Sequence, residues 1–190
     1  PCPRTRSRRH DGTVRTTALF VGAAAVFVAL MAWAFVALDT AGIWFAFVVV
    51  WLPMVWLGTV SRLATPRLPQ SWHTLRPFER DGHVYELLGV RVFKRLLRRG
   101  PLAVFNPHLH LSAEMTPERL RHLEQRMCDA EASHTILLVA TFGVAAFEAA
   151  VGNWSAAAWV AVFNVLLNGY PVMLQRYNRA LLHQRFAELG

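Results

Sequence analysis

"ALFVGAAAVFVALMAWAFVALDTAGIWFAFVVVWLPMVWLGTV" (residues 18–60) contains a single charged side chain, Asp39. The apolar run before it, about Ala18 to Leu38, is long enough to cross a bilayer, which takes roughly 20 residues of helix. The run after it, about Ile43 to Val60, is nearly as long and carries Pro53. Only "DTAG" (39–42) separates the two, so they predict a pair of spans joined by a tight turn.

The same pattern returns near the other end. A third span is expected over about Thr135 to Val151, with Glu148 inside it. A fourth is expected over about Trp154 to Leu174, with Asn164, Asn168 and Pro171. "GN" (152–153) joins them. The whole composition agrees: 54% of the 190 residues are hydrophobic and only 17% are charged, below the quarter usual in soluble domains. The predicted fold is an all-α integral membrane protein. Its four transmembrane helices form two hairpins, with interfacial amphipathic helices in a cytoplasmic segment between spans 2 and 3. Residues 1–17 are expected to be a basic cytoplasmic segment. Residues 18–190 are expected to be a single membrane domain with a cytoplasmic insertion at 61–134.

The charge sets the orientation. The net charge is +8, from 19 arginines and Lys94. Five basic residues lie before the first span, twelve in 61–134 and three after the fourth; the two short turns have none. Positive residues stay on the cytoplasmic side, so both termini and the insertion are expected there. The scarcity of lysine beside abundant Ala, Val and Arg fits a GC-rich bacterial genome, and hence the inner membrane. No nucleic-acid partner is expected, because the basic residues flank spans and no stacking aromatics interleave them. Cys2 and Cys128 are too few for a disulfide framework or a zinc motif. "NWS" (153–155) fits a glycosylation sequon by chance.

Within the insertion, Val84, Leu87, Leu88, Val90, Val92, Phe93, Leu96 and Leu97 alternate with Arg91, Lys94, Arg95, Arg98 and Arg99. That mixture suits short helices at a lipid interface. "RRGPLAVFNPHLHL" (98–111) reads as turn. Thr116, Pro117 and Glu118 then make a good helix start. Leu120, Leu123, Met127, Ala130 and His134 follow 3-4-3-4 spacing, and no breaker intervenes before the third span. One long helix from about 117 to 151 is expected.

Glu131 and His134 lie one turn apart on that helix. A carboxylate beside an imidazole can fix its tautomer and make it a general base, though a plain surface ion pair has the same spacing. Glu-x-x-His also occurs in di-metal bundles, but the second copy is absent, so no metal or other cofactor is expected. Glu148 faces roughly the same way as His134 and is expected to pair with Asn164. Asn164, Asn168, Pro171 and Gln175 form a polar stripe on the fourth helix. It leads into "QRYNR" (175–179), where a basic collar alone would not need Gln, Tyr and Asn.

"FERDGHVYELLGVRVFK" (78–94), "AEASH" (130–134) and "NGYPVMLQRYNR" (168–179) resemble the glycosyl-4,4'-diaponeurosporenoate acyltransferase family, small bacterial membrane proteins linked to the acylation of carotenoid glycosides. The likeness runs from about residue 78 to 182. It implies that Glu79, Gly82, Tyr85, Glu86, Gly89, Lys94, Glu131, His134, Asn168, Pro171, Gln175, Arg176, Tyr177, Asn178 and Arg179 are the family's characteristic positions. The chain departs from the pattern at Asp129, where members often have Arg, and at Thr135, where they usually have Trp. The implied activity is transfer of a fatty acyl group from acyl-CoA or another donor to a hydroxyl of a lipid-linked or glycolipid acceptor. His134 and Glu131 would be catalytic. Gln175, Arg176, Tyr177, Asn178, Arg179, Asn168, Tyr85, Glu86 and Lys94 would bind substrate, with His134 and the arginines sharing one pocket. The rival is a non-enzymatic lipid-binding scaffold or a subunit of a transport complex, which the same spans and basic belt would serve.

Overall fold

The computed structural model describes residues 13–60, 66–99 and 117–187. The N-terminal arginines at 4 to 9, the turn expected at 100–111 and the Thr116 cap lie outside the described residues. Within them the chain is helical, without strands: α1 (Thr13–Ala37), α2 (Ile43–Val60), α3 (Gln70–His73), α4 (His83–Leu87), α5 (Val90–Arg99), α6 (Pro117–Ala150), α7 (Trp154–Asn164) and α8 (Tyr170–Ala187). Pro77–Glu79 forms a single 3₁₀ turn, and Val165–Gly169 forms a π turn that links α7 to α8 without a break.

Among the described residues, four helical stretches are long and apolar enough to cross a membrane: Thr17–Ala37, Ile43–Val60, Glu118–Ala150 and Trp154–Gln184. The large apolar side chains of α1 make the point physically. Val21, Val28, Trp33 and Val36 are all more than half exposed, Val36 at 88%. A water-soluble domain does not leave such a stripe bare; hydrocarbon is the solvent that suits it.

The third span keeps to its expected limits and the fourth runs beyond them. The third belongs to the long helix expected from the stripe beginning at Leu120, now seen as α6. The fourth was expected to end near Leu174 with a kink at Pro171. Instead the helical path continues to Ala187, and the irregularity is the π turn just before Pro171. Proline lacks the N–H for the carbonyl four residues back and its ring crowds that carbonyl. A widened turn takes up that misfit without breaking the helix.

The chain forms two compact units. One contains α1, α2, residues 132–150 of α6, α7 and the π turn; the other contains α3, α4, α5, residues 117–131 of α6, and α8. In the first, Phe35 packs edge-on against Phe45 at 4.9 Å beside the connecting turn, while Phe20 and Phe27 meet Trp56 at 6.2 and 5.3 Å further along. Ala46, Val50, Ala145 and Val160 form its buried centre. All four are alanine or valine, and small side chains let spans approach closely where no water drives them together.

In the second unit, one cluster is built from Tyr85, Val90, Leu174 and Tyr177, with Phe93 and Leu97 packed against it. A second joins Leu120 and Met127, with Leu123 partly buried beside them, to Leu182, so the first part of the expected stripe on α6 packs into this core. α5 has two apolar flanks. Val90, Phe93 and Leu97 face this core, while Val92 and Leu96 are exposed.

Candidate functional site

The second unit is organised around a buried charge cluster. Arg176, on α8, sends Nε to Glu79 Oε1 (2.9 Å) and to the Tyr85 hydroxyl (3.1 Å). Its Nη1 donates to Glu131 Oε1 (2.6 Å) and to the Trp72 carbonyl (2.9 Å). Its Nη2 donates to Glu79 Oε2 (2.7 Å) and to the Thr74 carbonyl (3.3 Å). One turn on, Arg179 donates from Nη1 to Glu131 Oε2 (2.6 Å) and from Nη2 to the His73 carbonyl. The His73 ring closes the cluster, with Nδ1 3.3 Å from Glu131 Oε2. Glu131 is fully buried and Arg179 is 1% exposed.

Two acids and two guanidiniums balance, and this is how such charges survive burial. Burial alone would raise the Glu79 carboxyl. The bonds from Arg176, the Tyr85 hydroxyl and the Arg76 N–H outweigh it and hold the group down at about 2. The Tyr85 hydroxyl is pushed well above its ordinary value by burial and by its donated bond to Glu79.

This geometry corrects the expected pairing of Glu131 with His134. Helical spacing allows that contact, but both oxygens of Glu131 meet Arg176, Arg179 and His73 instead. Two guanidiniums offer a buried carboxylate more than one imidazole can. The two arginines expected on substrate are also engaged within this cluster. The bonding groups of Arg176 are taken up by carboxylates, a hydroxyl and main-chain carbonyls. Arg179 is enclosed, its Nε buried without a partner. Both arginines hold the 72–85 segment in place.

In the first unit, His134 is half-buried, and its Nδ1 lies 3.2 Å from Asn168 Oδ1. Asn168 Nδ2 donates to Asn164 Oδ1 (3.0 Å), and Asn164 Nδ2 to the Leu138 carbonyl (2.9 Å). Both asparagines are fully buried. Glu148 accepts from Asn153 Nδ2 (3.0 Å) rather than from Asn164, whose amide is committed to Leu138. Glu148 thus steadies the turn where Asn153 caps α7.

A family model for glycosyl-4,4'-diaponeurosporenoate acyltransferase matches residues 69–187, more than half of the chain. The chain belongs to that family. No curated protein and no solved structure matches it.

In this family member the remaining expected residues gather on α4, α5 and α8. Lys94 Nζ donates to Asn178 Oδ1 (2.7 Å) and lies 5.4 Å from the centre of the Tyr177 ring. The Tyr177 hydroxyl donates to Glu86 Oε1 (2.9 Å), which also pairs with Arg91 at 3.2 Å. Burial, then the charge of Arg98, lower the Lys94 ammonium below its usual range. Gln175 is half-buried on α8.

Gly82 explains one requirement of the segment. Its φ is +74°, and a Cβ there would meet Tyr177 ring carbons at 3.1 Å. Reasoning from sequence missed His73, which sits in no motif, and it missed the Asn164–Asn168 bond. The four-residue spacing of those asparagines on one face was the available signal.

Proposed function

We propose that this family member is an integral-membrane O-acyltransferase of the bacterial inner membrane, with both termini and the 61–134 segment on the cytoplasmic side. It moves a fatty acyl group from an activated donor, such as acyl-CoA, to a hydroxyl of a lipid-linked or glycolipid acceptor at that leaflet. The observation that carries this is His134. In a chain of acyltransferase descent, a partly accessible imidazole within an apolar helix has one ring nitrogen engaged by a buried amide.

His134 Nε2 takes the proton of the acceptor hydroxyl as the oxygen attacks the acyl carbonyl carbon. The tetrahedral intermediate collapses by breaking the carbon–sulfur bond of a thioester donor, and the imidazolium returns its proton to the leaving thiolate. No serine or cysteine elbow is visible in the sequence, which favours direct transfer over an acyl-enzyme. Lys94, one donor on Asn178 and two others to spare, receives the donor's phosphate, and Arg98 adds positive charge to the same helix.

The test is acyl transfer by the purified protein in lipid vesicles, supplied with long-chain acyl-CoA and a bacterial glycolipid extract. His134→Ala is expected to abolish transfer while leaving the protein folded and helical. Undiminished transfer by that variant would remove His134 from the mechanism.

A further inference from the structure

A chain of hydrogen bonds takes its direction from the end that cannot turn round. Here that end is the Leu138 main-chain carbonyl, which can only accept. Asn164 must therefore present Nδ2 to it, at 2.9 Å. That turns Asn164 Oδ1 toward Asn168, where it accepts from Nδ2 at 3.0 Å. Asn168 is left presenting Oδ1 to His134 Nδ1 at 3.2 Å, so the ring hydrogen sits on Nδ1. A neutral imidazole with Nδ1–H carries its lone pair on Nε2. Reversing either amide would set donor against donor or acceptor against acceptor. Neither asparagine has any exposed surface through which water could relieve the clash.

We propose that Asn164 is a positioning residue for acyl transfer: acting through Asn168, it holds His134 in the tautomer whose Nε2 can accept the acceptor's proton. This rests on the reading of His134 as the base. Asn164 touches neither His134 nor any reacting atom; its effect is relayed by the orientation of one amide. The local backbone fits the task. Asn164 ends α7 and Asn168 lies in the π turn, so both amides are carried by the segment that absorbs Pro171.

The experiment uses the full chain in lipid nanodiscs with ¹⁵N-labelled histidine, the His134 signal being assigned by its loss in His134→Gln. In the parent protein the Nδ1–H tautomer should dominate. Asn164→Leu keeps the branched shape of the side chain but frees the Asn168 amide to flip. It should give a mixture of tautomers and lower kcat roughly five- to tenfold, the worth of one net hydrogen bond, with KM unchanged. Asn164→Asp in its neutral form offers the same donor and acceptor, and should restore both the tautomer and most of kcat. A side chain that merely filled space would tolerate Leu better than Asp. Should Asn164→Leu not fold, Asn164→Ser, too short to reach both partners, should show the same mixture. An unchanged tautomer in the Leu and Ser variants overturns the relay. A mixed tautomer with full turnover overturns the reading of His134 as base, and the proposal with it.

Discussion

Glu131→Gln replaces one oxygen of a fully buried carboxylate by an amide, and its cost can be worked from the contacts. Glu131 accepts from Arg176 Nη1 and Arg179 Nη1, each at 2.6 Å, and from His73 Nδ1 at 3.3 Å. Glutamine keeps one acceptor and turns an NH₂ toward the other guanidinium, donor against donor. Arg176 retains Glu79 at 2.7 Å. Arg179 is left, among the described residues, without any carboxylate, although only 1% of it is exposed. Breaking one side of a buried ion pair costs about 3–5 kcal/mol. For a chain of this size that corresponds to a fall in Tm on the order of 6–20 °C. Thermal unfolding in detergent micelles, followed by circular dichroism, measures it. Adding Arg179→Met to Glu131→Gln removes the stranded cation and should recover part of the loss. A Tm within a degree or two of the parent for Glu131→Gln, or strictly additive losses in the double variant, would refute the account of Glu131 as the anchor of two guanidiniums.

Gly82→Ala combines a left-handed backbone with a 3.1 Å approach to the Tyr177 ring; it should destabilise the protein by roughly 1–3 kcal/mol in the same unfolding assay. Glu79 should set an acid limit. Its folded pKa of about 2 lies below the ordinary 4.5, so its contribution is complete above pH 4.5 and is lost as pH falls toward 2; unfolding curves across that range should show the decline, and Glu79→Gln should flatten it. Lys94→Met removes the cation proposed to receive the donor's phosphate without touching the buried charges; steady-state kinetics should show KM for acyl-CoA rising about tenfold with kcat little changed, the loss of one charge-assisted bond.

Much of the fold was legible because hydrocarbon imposes simple demands. Length and the absence of charge give α1 and α2. Pro117, Glu118 and the stripe from Leu120 to Met127 give α6. The polar partners were less legible. Helical spacing nominated His134 for Glu131 because sequence shows only neighbours along the chain. The winning partners stand 45 and 48 residues away, and His73 stands 58 away. "QRYNR" reads as either a basic collar or a site, and in the structure the side chains of Arg176, Tyr177, Asn178 and Arg179 are partnered within the protein. Its order reflects division of labour on one helix: Arg176 and Arg179 face the buried acids, Tyr177 packs against Gly82, and Asn178 meets Lys94. The π turn had one sign in the sequence, Pro171, which signals that something must yield but not how.

The charge cluster also bears on biosynthesis. Ribosomes deliver Glu79 first, then Glu131, and the two neutralising arginines only when α8 emerges. Until then the acids have no reason to leave water, and the insertion between α2 and α6 has nothing to close upon. Final folding of that unit therefore waits for the last helix. Nascent chains halted before Arg176 should leave residues 68–99 open to protease, and chains extended past Arg179 should protect them.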